Sequence, residues 1–311
     1  MRVAVVGPGG LGGRYAVLLS LAGEDVSVIA RGNHLQAIRQ RGLELRHFDD
    51  EVARVKLNAT NDPVEVGTVD LVLFCVKTYD LDTAAEQARS LVGDDTIVLP
   101  IQNGVTSCER LARIVGEKAV IGGATYADGN VAEPGVISFG HSKAPLLFGE
   151  LEGGASVRTL RLMDTFHNAE LEAEVRTDMP IVLWEKFVAV CATSAVLALM
   201  RLPLGNAFAI PECSELLLGV MQEVEAIAHA KGVGLEKGIA QQKFDYMKKN
   251  AAPSMRSSQL TDILSGRRLE LEALSGAAVR LGEELNVPTP LNRFCYAALK
   301  PYVDGAPEAA R

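Results

Sequence analysis

The sequence predicts an α/β fold in which a doubly wound parallel sheet at the N-terminus is followed by a second, all-helical C-terminal domain. Three observations carry this expectation. Short apolar, β-branched runs alternate with helical stretches through the first half of the 311 residues. A glycine-rich turn separates the first such run from the first helix, and beyond Asp178-Met179-Pro180 the pattern is helical almost to the end. A chain of this length is also long for one hydrophobic core, so two domains are expected, 1–177 and 178–311.

The elements follow in order. Val3 to Val6 reads as a strand, Tyr15 to Ala22 as a helix ended by Gly23, and Val26 to Ile29 as a second strand. Leu71 to Val76, Ile97 to Ile101 and Ala119 to Ile121 read as further strands, with helices over Asp82 to Leu91 and Cys108 to Val115 between them. Such alternation implies parallel strands covered on both faces. Val136 to Phe139 and Leu146 to Phe148 read as strands, and Val157 to Val175 as a helix and a strand. Leu216 to Lys231 is an amphipathic helix, and Gly305 to Arg311 reads as a frayed tail.

Composition excludes several classes. Hydrophobic residues make up 48% and charged residues 23%, as in ordinary globular proteins. The net charge of −8 argues against nucleic-acid binding, which rests on Lys and Arg neutralising phosphates. Cys75, Cys108, Cys191, Cys213 and Cys295 lack CxxC spacing and read as free thiols in a reducing compartment, so the cytoplasm is expected. The apolar stretch Phe187 to Met200 is shorter than the roughly 20 residues of a membrane span and reads as a buried helix. His34, His47, His141, His167 and His229 show no metal-ligand spacing, and no GxSxG elbow points to a serine hydrolase.

Gly7-Pro8-Gly9-Gly10-Leu11-Gly12 contains GxGxxG between a strand and a helix, the context of a dinucleotide-binding Rossmann turn. The first glycine permits the tight turn, the second lets backbone approach a pyrophosphate, and the third lets helix and strand pack closely. The helix N-terminus offers N–H groups and a positive dipole end. At the end of the second strand stands Arg31, with no acid beside it in sequence. A guanidinium there either pairs with a 2′-phosphate, selecting NADP, or is a solvated surface arginine. Lys77-Thr78 and Asn103-Gly104 follow strands at the edge where such sheets bind ligands, and both also suit turns. Lys186 precedes the apolar run from Phe187, where a lysine either snorkels or acts.

Taken together the chain resembles the ketopantoate reductase (2-dehydropantoate 2-reductase) family over nearly its whole length. The resemblance is carried by the glycine loop, Arg31-Gly32-Asn33-His34-Leu35, Val76-Lys77-Thr78, Gln102-Asn103-Gly104-Val105, Pro134-Gly135-Val136, Trp184-x-Lys186, Ser257-Ser258-Gln259-Leu260-Thr261-Asp262 and Gly266-Arg267-x-x-Glu270. It implies an NADPH-dependent reduction of a small 2-keto acid. Lys186 would be the proton donor and Glu270 the carboxylate that binds substrate. Asn103 would lie near nicotinamide and substrate, and Ser258 would help hold the substrate. A homodimer is compatible with this reading. The chain departs from the family where asparagines are replaced by Val190, Ser194, Leu204 and Met255. A more apolar pocket follows, which leaves open a different keto acid or ketone. A non-catalytic NADP-binding sensor would need neither Lys186 nor Glu270.

Overall fold

The structure, a computed structural model, describes residues 1–47, 51–127, 129–140 and 145–307. His141 lies outside them. The strands are β1 (Arg2–Val6), β2 (Asp25–Ile29), β3 (Leu43–His47), β4 (Val52–Val55), β5 (Asn58–Thr60) and β6 (Leu71–Phe74). Then come β7 (Ile97–Pro100), β8 (Gly122–Thr125), β9 (Gly129–Glu133), β10 (Val136–Phe139), β11 (Leu146–Gly149) and β12 (Ala173–Val175). The helices of the first half are α1 (Gly10–Leu21), α2 (Gly32–Arg41), α3 (Leu81–Gln87), α4 (Ser107–Val115) and α5 (Val157–Asn168). Those of the second are α6 (Met179–Met200), α7 (Leu204–Ala209), α8 (Pro211–Ala230), α9 (Ile239–Asn250), α10 (Ser258–Leu264), α11 (Ser275–Glu284) and α12 (Pro290–Leu299).

The chain forms two compact units, residues 1–102 with 107–180, and residues 103–106 with 181–311. In the first, five parallel strands run in the order β5-β2-β1-β6-β7. The order reverses at β1, so β2 and β6 flank it and their carboxyl ends share one edge with the glycine turn. Ligands of such sheets bind at that switch point. Val3, Val5, Leu71, Leu73 and Leu99 are buried, as strands covered on both faces require. Two further sheets, β4-β3-β10-β9 and β12-β11-β8, mix parallel and antiparallel pairs. Phe148 of β11 packs edge-to-face on Phe166 of α5 with ring centres 5.4 Å apart, inside the same apolar core.

The expected strand Ala119–Ile121 is displaced. A short 3₁₀ turn covers Glu117–Ala119, and the strand begins at Gly122. Its glycines serve packing: a Cβ at Gly123 would lie 2.5 Å from the Pro100 carbonyl oxygen. Strands β3, β4, β5 and β9 have no counterpart in the sequence expectation. At the C-terminus, Gly305 and Ala306 donate to the carbonyls of Tyr302 and Gly266, so the tail is tied down there; residues 308–311 lie outside the described set.

The second unit is built around α6. This helix begins eight residues earlier than its apolar run Phe187–Met200, so Lys186 is not at its start but two turns in. Its 22 residues are long and apolar enough to cross a membrane, yet 83% of the apolar window is buried within the fold, which makes it a core helix. Phe187, Val188, Cys191, Ala195 and Val196 share one apolar core with Leu217, Val220, Met221 and Val224 of α8 and Ala277 and Ala278 of α11.

Candidate active site

The first unit carries the glycine turn. Gly7 has φ +87°, which favours glycine, and donates to the Ile29 carbonyl at 3.1 Å. A Cβ at Gly12 would lie 2.3 Å from the Gly7 oxygen and 2.8 Å from Cys75 Cβ, so α1 rests directly on the strand edge. A Cβ at Gly10 would lie 1.9 Å from the Gly129 oxygen, because this turn also abuts β9. Gly9 differs: a Cβ there meets nothing within 4 Å. Gly9 is the N-cap of α1, no side chain caps the helix, and no acid stands in its first turn. The open side of the turn is therefore lined by backbone at a helix N-terminus, which suits an anion.

His34 fixes this turn from behind. The Gly135 N–H donates to His34 Nδ1 at 3.0 Å, so Nδ1 is unprotonated and Nε2–H donates to the Pro8 carbonyl at 2.8 Å. One imidazole thus ties together the glycine turn, the segment after β2 and the start of β10. The sequence offered His34 and Pro134-Gly135-Val136 only as parts of a resemblance, and their contact is long-range.

Arg31 is the N-cap residue of α2, just past β2. It forms an ion pair with Asp80, from the 3₁₀ turn Thr78–Asp80 that follows β6. No acid is adjacent in sequence, but the sheet order brings one in space. The Asp80 N–H donates to the carbonyl of Lys77 at 2.9 Å, which fixes the Lys77 loop on the same edge.

The second unit holds the other expected residues. Lys186 is only 6% exposed, which rules out snorkelling to solvent. Burial strips its ammonium of water and lowers the pKa from the ordinary 10.5 to about 8, while the nearby Glu270 carboxylate opposes the shift. Glu270 is itself buried, and it immediately precedes the 3₁₀ turn Leu271–Ala273. Gly104 has φ +92°, and a Cβ on it would lie 2.7 Å from the Ala273 oxygen. The Asn103–Gly104 loop is thus packed on the turn that begins at Glu270.

Ser258 opens α10 and is half-buried, while Ser257 caps the helix by accepting from the Leu260 N–H at 3.1 Å. Gln259 donates to the Ser194 carbonyl at 3.2 Å, tying α10 to α6 two turns beyond Lys186. Lys186, Val190 and Ser194 recur every four residues and share a face of α6. Leu204 is buried and its N–H donates to the Met255 carbonyl at 2.9 Å, so two of the four altered positions adjoin. Gln102, beside Asn103, is buried with neither amide atom hydrogen-bonded among the described residues, a feature that sequence reading passed over. No group of three or more His, Cys, Asp or Glu side chains among the described residues is placed to hold a metal.

The profile of the ketopantoate reductase PanE/ApbA family matches residues 3–153, and that of its C-terminal domain matches residues 179–303. The chain belongs to the ketopantoate reductase family. A 2-dehydropantoate 2-reductase from Mesorhizobium japonicum is 31% identical over 313 aligned positions, covering 93% of this chain and 94% of the other. The crystal structure of a PanE/ApbA family ketopantoate reductase from Ralstonia eutropha superposes with a TM-score of 0.89 at 31% identity, over 97% and 98% of the two chains. That of a 2-dehydropantoate 2-reductase from Porphyromonas gingivalis gives 0.83 at 30% identity, over 96% and 99%. Ketopantoate reductases are pyridine-nucleotide-dependent oxidoreductases acting on CH–OH groups, and this chain is an enzyme of that class. The Rossmann-like first half and helical second half are those of the family.

Proposed function

We propose that this enzyme uses NADPH to reduce a 2-keto acid to the 2-hydroxy acid, with 2-dehydropantoate as substrate and pantoate as product. The observation that carries the reading is Lys186, a lysine buried beside Glu270 with its pKa lowered to about 8. A buried ammonium is costly, and a pKa near neutrality suits a general acid. The hydride for the ketone carbon would come from NADPH when it is bound. Lys186 stabilises the charge developing on the carbonyl oxygen and gives that oxygen its proton. Glu270 keeps the ammonium charged and accepts from the substrate hydroxyl, while Asn103 and Ser258 orient the keto acid. Gly7, Pro8, Gly9, Gly10, Leu11 and Gly12 would seat the pyrophosphate, with Arg31 and Lys77 toward the adenosine phosphate.

A second reading, reduction of a more apolar keto acid, is favoured by Val190, which stands one turn from Lys186 on the same face of α6. Initial rates of NADPH oxidation with 2-dehydropantoate, a branched 2-keto acid and an aromatic one decide between them. A higher kcat/KM on the aromatic acid would select the second; turnover of none would overturn both.

The cofactor assignment has its own expected result. Arg31→Ala should lower kcat/KM for NADPH roughly tenfold through KM and leave NADH within about twofold, since of the two cofactors only NADPH carries a 2′-phosphate for the guanidinium to engage. Equal or better use of NADH by the unmodified enzyme would refute the NADPH preference.

A further inference from the structure

We infer that Asp80 sets how sharply this enzyme distinguishes NADPH from NADH, by competing with the 2′-phosphate for Arg31. The inference rests on the dinucleotide reading of the glycine turn, and concerns a residue that the glycine pattern does not include.

The geometry is specific to the switch point. Arg31 stands just past β2, and Asp80 in the turn after β6; these two strands flank β1, whose end carries the glycine turn. The two side chains are ion-paired across that edge. The Arg31 side chain is 82% exposed, so its guanidinium can be reached by a ligand while the pair is intact. The Asp80 side chain is 27% exposed and belongs to a turn closed by its own N–H on the Lys77 carbonyl. The carboxylate is therefore the fixed partner and the guanidinium the movable one.

Carboxylate and phosphate compete for the same fork of N–H donors. A 2′-phosphate carries close to two negative charges, so to use Arg31 it must share or displace Asp80 and suffers repulsion from it. A bare 2′-hydroxyl suffers neither, and it can donate a hydrogen bond to a carboxylate at this end of the pocket. The pair thus weakens the preference that Arg31 alone would impose. Asp80 acts through Arg31 and is a positioning and selectivity residue, without contact to the reacting atoms.

The experiment is calorimetric titration of the full-length protein with NADPH and with NADH, for the unmodified enzyme, Asp80→Asn, Arg31→Ala and the double variant. Asparagine keeps the size and one acceptor while removing the charge. Asp80→Asn is expected to tighten NADPH roughly three- to tenfold, the scale of a partly screened surface charge pair acting on a dianion. NADH should stay within about twofold. The gain should be lost in the Arg31→Ala background and should shrink at high salt. Unchanged NADPH affinity, weaker NADPH binding, or a gain that persists without Arg31 would each overturn the inference. A preference of the unmodified enzyme for NADH would refute the NADPH reading but not this one, because the Asp80→Asn shift is measured relative to that enzyme.

Discussion

Lys186→Ala is expected to lower kcat for keto-acid reduction by about 10²–10⁴-fold, the usual contribution of a general acid. The affinity for NADPH should change little, because the glycine turn, Arg31 and Lys77, proposed to hold the phosphates, lie in the other unit. The same group predicts the pH profile. Its pKa is lowered to about 8 because burial removes hydration from the charged form. Reduction needs the ammonium, so kcat/KM, which reports groups of the free enzyme, should be flat below about pH 8 and fall tenfold per unit above it. Glu270 favours the charged form, so Glu270→Gln should move that basic limb to lower pH. The losses in the Lys186→Ala/Glu270→Gln double variant should not add, since both residues act on one proton. The measurement is kcat and kcat/KM against pH for the enzyme and the three variants on the best keto acid, with nucleotide affinity alongside. Near-normal kcat for Lys186→Ala would end the assignment and leave Lys186 as a structural lysine paired with Glu270.

The parts of this fold that were legible in sequence are those where local pattern and tertiary role coincide. Val3–Val6, Leu71–Phe74 and Ile97–Pro100 are continuous apolar runs because parallel strands are buried on both faces. β3 hid because Glu44 breaks what would otherwise be a short buried apolar run. That carboxylate is buried and becomes acceptable only through Arg46 on its own strand and Arg54 across the ladder on β4, which hold its pKa below the usual range. β9, Gly-Asn-Val-Ala-Glu, is almost wholly exposed and carries no core signal at all. The start of α6 was misplaced because Met179 to Lys186 holds a proline and ends in two charges, Glu185 and Lys186, yet Pro180 sits in the first turn, where its missing N–H costs nothing. The site divides in the same way. The glycine turn and Lys186 stand out in sequence, whereas the Arg31–Asp80 pair and the His34 bridge between Pro8 and Gly135 join residues 49, 26 and 101 positions apart. No periodicity reports such pairs; the order of strands around β1 creates them.

Within the glycine turn, neighbouring glycines should answer substitution in opposite ways. Gly9→Val should fold normally and lose nucleotide, while Gly10→Ala should lose stability. At Gly9 the backbone is extended, with φ −74° and ψ −157°, and a Cβ meets nothing within 4 Å. Since a Cβ there has open space around it, Tm should stay within about 2 °C, as for a surface change. If the pyrophosphate approaches the turn on this open side, the added methyls hold it away from the α1 N-terminus, and NADPH affinity should fall about 100-fold, roughly 2.7 kcal/mol. At Gly10 a Cβ would sit 1.9 Å from the oxygen and 2.1 Å from the carbonyl carbon of Gly129. Those are backbone atoms of β9, which cannot swing aside, so α1 and β9 must separate. Overpacking of this kind costs about 1–3 kcal/mol, which for a chain of this size lowers Tm by roughly 2–10 °C. Thermal unfolding of the nucleotide-free proteins, followed by calorimetric titration with NADPH, reads both effects. Wild-type affinity in Gly9→Val would mean that the phosphates do not lie against the open side of the turn. Undiminished Tm in Gly10→Ala would mean that β9 does not bear on it.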